Sequence, residues 1–338
     1  MILVLNCGSQ SIKWKVFDEK LKVVKRGHKE VLDSSEFENV LKNELGQIGQ
    51  EVNLIGHRVV HGGKIFIKPT KITNENLAEL EKLNHLAPLH NPFNILGIKV
   101  CRSIFGDIPQ FAVFDTEFFK DLPEKAFTYA LPAEIVKEFG FRKYGFQGTS
   151  HEYAAKTAAE AIKRPYNKLK IITCHLGGGA SVAATKNGKA IDTSMGFTPL
   201  EGLVMMTRSG NLDAGIVLDL VGKFTLDKTG EILNKESGVQ GICGEGEMLK
   251  VLEMIKVGNN KAKLALDVFV YSIQKYIGSY FAILGGCDVL VFTGSIGSGS
   301  AKIRNMICKN LDIFKKTKVL AVKTDEELAI ANKIKSLK

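Results

Sequence analysis

The chain of 338 residues contains no apolar run long enough to span a membrane, and Asn6 interrupts the first apolar run too early for a signal peptide. Its six cysteines are scattered along the chain without a Cys-x-x-Cys pair. This spacing is typical of reduced, buried thiols and argues against a disulfide framework or a zinc site. We therefore expect a cytoplasmic protein that has no membrane partner.

Acidic residues are scarcer than basic ones: 36 Asp and Glu against 46 Lys and Arg give a net charge of +10 at pH 7. Nucleic-acid binding favours a basic stripe interleaved with aromatic residues, but the lysines here are interspersed with glutamates. We expect no nucleic-acid partner and a positive field that attracts small anions. The content of 45% hydrophobic and 24% charged residues is typical of a folded protein, and the length fits two domains.

The stretch from residue 2 to residue 17 predicts two paired strands joined by a polar turn. A buried apolar run ends at Asn6, and apolar residues then alternate with lysines in the second strand. The turn contains Gly8, Ser9 and Ser11, whose hydroxyls and backbone N–H groups could bind a phosphate. An ordinary hairpin turn is the alternative.

A second copy of this pattern occupies residues 168–184, where an apolar strand, a glycine turn and another apolar strand follow one another. In both copies a polar turn and a third strand come next. Repetition at such long separation indicates two similar halves. Two phosphate-facing hairpins on either side of a cleft would form a nucleotide site.

Four polar residues lie at the ends of predicted elements or in shaped loops. Arg58 follows a strand and precedes Gly-Gly, and Arg208 lies in a long loop of small residues, so each could bind an anion. A structural ion pair is the alternative for Arg58. His90 lies in a loop stiffened by two prolines, where it could act as a preorganised hydrogen-bond donor. A purely structural loop histidine is the alternative. Asp115 ends a buried strand, where bases and metal ligands occur, or caps the next helix.

Three further segments have a predicted role at a helix start. Residues 293–300 form a strand end and a glycine turn before a helix, which is typical of nucleotide-binding proteins, although no Lys-Ser/Thr pair completes a Walker A motif. The carboxylates of residues 325–327 either cap the terminal helix or bind a metal. Thr149 and Ser150 are predicted to cap a helix that begins at His151.

Together these segments resemble the acetokinase family, the family of the acetate kinases, over essentially the whole chain. The motifs that carry the resemblance are N-C-G-S-Q-S-I-K (6–13), G-H-R-V-V-H-G-G (56–63), L-A-P-L-H-N-P (86–92), F-D-T (114–116), H-L-G-G-G-A-S (175–181), D-T-S-M-G-F-T-P-L-E-G-L (192–203), T-R-S-G-N-L-D (207–213) and T-D-E-E-L (324–328).

The resemblance implies an α/β fold of two ribonuclease-H-like domains of the actin/hexokinase type with a central cleft. Residues 1–115 would form the first domain, with a terminal helix (326–338) packing back on it. Residues 116–325 would form the second domain, which would bind nucleotide and form a homodimer. The implied reaction is reversible phosphoryl transfer between ATP and acetate, giving ADP and acetyl phosphate, with Mg²⁺ or Mn²⁺.

The resemblance also implies roles for single residues. The catalytic residues would be Asp115, Arg58, His90, Arg208 and Gln147. Arg58 would bind the acyl substrate beside an apolar pocket of Val60, Leu89, Phe146 and Pro199. The nucleotide would lie near Lys13, His175, Leu176, Gly177, Gly178, Gly179, Ser295, Ile296, Gly297, Ser298 and Gly299. The metal would be held by Asn6 and Glu326.

The chain departs from the family pattern mainly on the nucleotide side. Gly178 replaces an asparagine, and residues 295–299 replace the usual G-I-G-E-N turn. Gln147 replaces a histidine, and a glutamine donates a hydrogen bond but carries no charge. These changes leave open a different phosphoryl partner (pyrophosphate or another nucleotide), propionate or butyrate as substrate, or a catalytically weakened relative.

Overall fold

The computed structural model describes residues 1–8, 11–31, 33–49, 51–309 and 311–337. Ser9 and Gln10 of the predicted phosphate-binding turn lie outside the described residues, as does Lys338 at the end of the predicted terminal helix. The strands in the described part of the chain are β1 (Ile2–Gly8), β2 (Ser11–Phe17), β3 (Val23–Glu30), β4 (Leu54–Val59), β5 (Thr70–Lys71), β6 (Gln110–Phe114), β7 (Lys170–Leu176), β8 (Ala180–Lys186), β9 (Lys189–Thr193), β10 (Val289–Thr293) and β11 (Lys318–Ala321).

The helices are α1 (Phe37–Gly46), α2 (Asn74–Lys82), α3 (Asn91–Phe105), α4 (Glu124–Phe127), α5 (Ala133–Phe139), α6 (Gly148–Ala161), α7 (Ala214–Lys223), α8 (Leu226–Lys235), α9 (Gly238–Cys243), α10 (Met248–Lys256), α11 (Asn260–Leu284), α12 (Gly294–Gly299), α13 (Ala301–Cys308) and α14 (Glu326–Lys335). Among the described residues, no helix combines the length and the apolar character needed to cross a membrane.

The first sheet has the strand order β3-β2-β1-β4-β6-β5. Strands β1, β2 and β3 form an antiparallel meander, and β4 and β6 continue the sheet parallel to β1. Strand β1 is buried along nearly all of its length because apolar clusters cover both faces of the sheet. The edge strand β3 is exposed and rich in lysine and arginine, which discourages pairing with other chains.

The second sheet repeats this plan with the order β11-β10-β7-β8-β9. Strands β7, β8 and β9 form the antiparallel meander, and β10 and β11 run parallel to β7. The predicted duplication and the α/β class are therefore confirmed. Hairpins with alternating apolar residues and apolar runs buried on both faces produce the same five-strand arrangement twice.

Helix α14 packs on the first sheet even though it is the last element of the chain. Ile330, Ala331 and Ile334 lie in the same buried cluster as Val4 of β1. The helix approaches closely at Gly56 in β4, where an added Cβ would lie 2.8 Å from side-chain carbons of both isoleucines. Glycine at this position is therefore a packing requirement.

Two local predictions are wrong. Helix α6 begins at Gly148, so Thr149 and Ser150 lie within its first turn and do not cap a helix beginning at His151. The backbone N–H of His151 donates to Gln147 O at 3.0 Å, which starts the helix earlier. The predicted glycine turn after β10 is helix α12, which begins directly at Gly294 with φ of +79°.

The chain forms two compact units. The first unit consists of Met1–Lys120, Phe146–Tyr153 and Asp325–Lys338, and the second of Asp121–Gly145 and Ala154–Thr324. The segment Phe146–Tyr153 belongs to the first unit although it follows 25 residues of the second, Asp121–Gly145. The boundary between residues 115 and 116 in the sequence-based scheme stays a prediction.

Candidate functional site

Three polar residues of the first unit lie where its central parallel strands end. Asn6 is near the end of β1, Arg58 is in β4, and Asp115 directly follows β6. Because β1, β4 and β6 are parallel neighbours, their carboxyl ends share one edge of the sheet. In open α/β sheets this edge is where ligands bind. The three side chains therefore lie at the same edge of the sheet, and their shared role in one site stays a prediction.

Arg58 and Asp115 form the central contact of the site. The Nη2 and Nε groups of Arg58 donate to Asp115 Oδ2 at 2.5 and 3.1 Å, and Nε also lies 3.2 Å from Oδ1. Asp115 is only 1% exposed. Burial alone would lower the pKa of Arg58, but the charges of Asp115 and Glu326 raise it above its usual value. The guanidinium is therefore always charged and compensates the buried carboxylate.

Asp115 is also held by the start of helix α6, a contact that the sequence did not reveal. Thr149 Oγ1 donates to Asp115 Oδ1 at 3.0 Å, and the Gly148 N–H donates to the Asp115 carbonyl at 3.1 Å. An added Cβ at Gly148 would lie 2.1 Å from that carbonyl oxygen. Gln147 precedes these residues in the left-handed region, with φ of +58°. The G-T-S run after Gln147 is the local sequence signal for this contact, and it equally fits a helix cap.

Glu326, in the first turn of α14, completes this cluster. Its Oε2 lies 3.4 Å from Arg58 Nε and accepts a hydrogen bond from Asn6 Nδ2 at 3.4 Å. Asp325 is the helix cap, since its side chain accepts from the Leu328 N–H at 2.9 Å. The two alternatives for this segment therefore fall on different residues: Asp325 caps the helix, and Glu326 faces the site.

The oxygen ligands available here suit a hard divalent cation. Burial raises the pKa of Glu326, the Arg58 charge opposes this rise, and the Asp115 charge adds to it. A cation beside Glu326 would stabilise its ionised form. Among the described residues, no group of three or more His, Cys, Asp or Glu side chains could hold a metal. Mg²⁺ commonly uses one or two carboxylates together with waters and substrate phosphates, so Asn6 and Glu326 fit it.

The other predicted residues of the first unit lie on neighbouring elements. Lys13 pairs across the hairpin with Asn6, and its positive charge lowers the pKa of Glu326, although burial dominates and raises it. His90 precedes helix α3 as its N-cap residue. Val60 and Phe146 are buried, whereas Leu89 is 44% exposed. Hydrogen bonds and ion pairs link Asn6, Arg58, Asp115 and Glu326, and Lys13 acts on Glu326 through its charge.

The second unit has a pocket of about 560 Å³ at the ends of β7 and β10. Four of the predicted nucleotide residues line it: Gly178, Ser295, Ile296 and Gly299. The pocket is also lined by Met206, Gly246, Glu247, Met248, Leu249, Leu252 and Ser300. They come from segments far apart in the chain, so no local pattern could have grouped them.

The remaining predicted nucleotide residues lie behind or beside the pocket. The end of β7 and the glycine turn after it contain His175, Leu176, Gly177 and Gly179. Gly297 lies close to this strand, since an added Cβ at Gly297 would be 3.4 Å from the Leu176 side chain. Ser298 donates its hydroxyl to Gly294 O at 2.7 Å. A side chain at Gly178 would meet open space, with no atom within 4 Å. Packing therefore does not require glycine at this position.

Arg208 and Pro199 share a loop of the second unit, residues 194–213, in which the structure has neither helix nor strand. Arg208 Nη1 donates to the Pro199 carbonyl at 3.3 Å. Burial lowers the pKa of Arg208, although a guanidinium stays charged at neutral pH. A charged, partly buried side chain of this kind is suited to binding an anion.

Comparisons with known proteins give a consistent result. The sequence model of the acetokinase family matches residues 25–336. The acetate kinase of Carboxydothermus hydrogenoformans is 41% identical, over 98% of this chain and 97% of that protein. The crystal structure of Porphyromonas gingivalis acetate kinase has a TM-score of 0.91 and 36% identity, covering 100% of this chain and 99% of the other. A propionate kinase from Francisella tularensis has a TM-score of 0.90 and 36% identity, covering 98% of each chain.

Proposed function

This chain belongs to the acetokinase family, and on that premise we propose that it catalyses reversible phosphoryl transfer between ATP and acetate, giving ADP and acetyl phosphate. The observation that carries the proposal is the largely buried cluster of Asn6, Arg58, Asp115 and Glu326 in the first unit. Such a cluster places a fixed guanidinium and oxygen ligands for a cation at the same edge of the sheet, and phosphoryl transfer requires positioned positive groups of both kinds.

Arg58 and Asp115 would act on the acyl substrate. Asp115 fixes the guanidinium through Nε and Nη2, while Nη1 donates to Asn6 Oδ1 at 3.2 Å. The guanidinium plane is therefore set before substrate arrives, so little entropy is lost when it binds a carboxylate or a phosphoryl oxygen. The buried residues Val60 and Phe146, with Leu89 and Pro199, would provide the apolar surface for the methyl group.

His90, Arg208 and Gln147 would stabilise the charge that develops on the transferred phosphoryl group. Fixed donors aimed at that charge supply most of the catalysis in such reactions, and removing one typically costs about 3–4 kcal/mol. Gln147 contributes a neutral donor where the family has histidine, which predicts a smaller contribution at this position.

Asn6 and Glu326 would hold Mg²⁺, or Mn²⁺ in its place. When bound, the cation would neutralise phosphate charge and orient the phosphoryl group. Lys13 would add positive charge on the nucleotide side, since its charge already acts on Glu326.

The pocket of the second unit would bind the nucleotide. Its volume of about 560 Å³ lies within the usual range for small-molecule sites. Met206, Met248, Leu252 and Ile296 give it an apolar lining that suits a purine ring. The glycine turn at residues 177–179 would approach the phosphates, because glycine lets the backbone N–H groups come close.

A second acyl substrate is favoured by one comparison. The similar structure from Francisella tularensis is named a propionate kinase, with the same identity to this chain as the acetate kinase structure. Propionate differs from acetate by one methylene, which is worth only about 1–3 kcal/mol in an apolar pocket. We therefore expect propionate to be a slower substrate of the same site.

The proposal extends to a homodimer that forms through the second unit. Helix α7, all of whose ten residues are described, has no buried residue despite its apolar sequence. Large side chains are exposed on α7, α8, α11 and the adjoining loops: Leu212, Ile216, Leu218, Val221, Phe224, Leu226, Leu264 and Tyr271. We call these residues the apolar face. Exposed clusters of this kind usually contact a partner.

We propose that the protein is cytoplasmic. The six cysteines are free thiols in the described part of the chain, and several are buried in the two cores. Free thiols of this kind are typical of reducing compartments.

The test measures acyl hydroxamate formation by the full chain with saturating Mg²⁺. Acetate and propionate are compared as acceptors, and ATP, GTP and pyrophosphate as donors. We expect turnover with ATP and acetate, and a loss of at least about 100-fold in Asp115→Asn, which keeps the shape but removes the charge that holds Arg58. Lys29→Met, on the exposed strand β3, is the control. If only pyrophosphate supports turnover, the donor is pyrophosphate and the proposal of ATP as donor is wrong. Full activity in Asp115→Asn would refute the proposed mechanism.

A further inference from the structure

We infer that Lys15 is a positioning residue for Glu326: it pairs with the two carboxylates that flank Glu326, Asp325 and Glu327, and so turns Glu326 towards Arg58 and Asn6. This inference rests on the proposed function, because Glu326 is the carboxylate proposed to hold the metal.

The geometry of Lys15 is that of a bridge between two carboxylates. Its Nζ lies 2.7 Å from Asp325 Oδ1 and 3.2 Å from Glu327 Oε2. The three side chains are 21%, 27% and 11% exposed, so the contacts are partly shielded from water. Lys15 lies in β2, two residues after Lys13, and side chains two apart in a strand share a face.

Asp325, Glu326 and Glu327 are three successive acidic residues at the start of α14, and only one of them can face Arg58 and Asn6 at a time. Neighbouring helical side chains differ in direction by about 100°, so a small rotation or fraying of the first turn would present a different carboxylate to the site. Asp325 also accepts from the Leu328 N–H at 2.9 Å, which fixes the cap. With both flanking carboxylates engaged, the rotation of the first turn is determined.

The contacts of Arg58 do not by themselves fix which carboxylate of the helix start faces the site. Its contacts to Asp115 range from 2.5 to 3.2 Å, whereas its contact to Glu326 is 3.4 Å. Glu326 is therefore only loosely held by Arg58. If Asp325 or Glu327 lost its cation, its charge would compete with Glu326 for Arg58 or for a bound divalent cation.

The rest of α14 is fixed by other contacts. Ile330 and Ile334 pack in the buried cluster, and Lys333 pairs with Glu117 and with Glu152, the latter at 2.7 Å. These contacts hold the helix on the sheet without Lys15. Removing Lys15 should therefore disturb the first turn and leave the helix in place.

The test is Lys15→Met in the full chain, which removes the charge and keeps the length. We expect the Mg²⁺ concentration for half-maximal activity to rise about tenfold, as is typical when a residue that orients a metal ligand is lost. The acetate KM should stay unchanged. Mn²⁺ binding measured by electron paramagnetic resonance should weaken by the same factor. Without metal, amide hydrogen exchange should become faster at residues 328 and 329 and stay unchanged at residues 331–334.

Three variants serve as controls. Lys15→Arg should restore metal affinity, because arginine can bridge two carboxylates. Lys335→Met lies on the same helix, where Lys335 donates to the Glu19 carbonyl at 2.5 Å, and should leave metal affinity unchanged. In the Asp325→Asn/Glu327→Gln background the flanking charges are gone, so adding Lys15→Met should have little further effect.

A lower melting temperature in Lys15→Met with unchanged metal affinity and unchanged exchange at residues 328 and 329 would overturn the inference, since Lys15 would then be merely structural. If the wild-type protein shows no metal-dependent phosphoryl transfer, the proposed function fails instead. The exchange measurement without metal still decides whether Lys15 orders the turn that contains Glu326.

Discussion

At the scale of single residues, the Asp115 carboxylate is held from two sides. Arg58 contacts it with two nitrogens, and Thr149 donates to Oδ1 at 3.0 Å. The backbone of Asp115 is fixed as well, since its N–H donates to Val59 O and its carbonyl accepts from Gly148. A carboxylate held in this way keeps one orientation, and through it so does the guanidinium of Arg58.

Thr149→Val tests this arrangement. The substitution keeps the shape and removes the hydroxyl, so Asp115 loses a hydrogen bond to a charged group worth about 1.5–3 kcal/mol. We expect kcat to fall about 10- to 100-fold, with a smaller change in the acetate KM, measured by steady-state kinetics. Thr149→Ser keeps the hydroxyl and should retain most of the activity. An unchanged kcat in the valine variant would mean that Arg58 alone orients Asp115.

At the scale of elements, the packing of α14 on the first sheet depends on Gly56. The close approach places the helix start, and with it Glu326, at the strand edge that contains Asn6 and Arg58. The apolar residues Ile330 and Ile334 supply the contact surface, and the pairing of Lys333 with Glu117 and Glu152 directs the far end.

Gly56→Ala should push the helix away from the sheet. A methyl group 2.8 Å from Ile330 and Ile334 carbons overpacks the interface, which typically costs about 1–3 kcal/mol of unfolding free energy. Urea denaturation measures the cost, and activity should fall with it because Glu326 moves. Gly46→Ala in α1, where an added Cβ meets nothing within 4 Å, is the matched control and should be neutral or stabilising. Equal stability of both variants would contradict the packing argument.

At the scale of the whole molecule, five strands of the first sheet are arranged like the five strands of the second sheet, and the apolar face belongs to the second unit. Leu218 and Leu226 are each 74% exposed, which is costly for side chains of this size in an isolated chain. A second copy of the same surface would bury them symmetrically.

Leu218→Glu tests the proposed homodimer. A charge at the centre of an apolar interface must be desolvated on association, so we expect the dissociation constant to rise at least about 100-fold. Sedimentation equilibrium measures the change. Val24→Glu, on the exposed edge strand β3 of the first unit, adds the same charge elsewhere and should leave the association unchanged. If the wild-type protein is monomeric at micromolar concentration, the proposed homodimer is refuted.

The sequence by itself determined the elements and the duplicated plan. Hydrophobic periodicity located the hairpins and the parallel strands, because burial imposes a period of two on half-buried strands and continuous apolar runs on central ones. The motifs shared with the acetokinase family predicted roles for Asn6, Arg58, Asp115 and Glu326, and hydrogen bonds and ion pairs link these four side chains in the structure. Four of the nucleotide residues inferred from the resemblance also line the pocket of the second unit.

Only the tertiary structure decided which of several local interpretations applied. The sequence allowed Thr149 to cap a helix, whereas in the structure it contacts Asp115. Either Asp325 or Glu326 could have capped the terminal helix or bound a metal. Lys15 could have been an exposed lysine of a half-buried strand. These choices depend on contacts between residues up to 320 positions apart, such as Asn6 and Glu326. A local pattern fixes how a side chain points along its own element, but the partner it meets is set by how the elements pack.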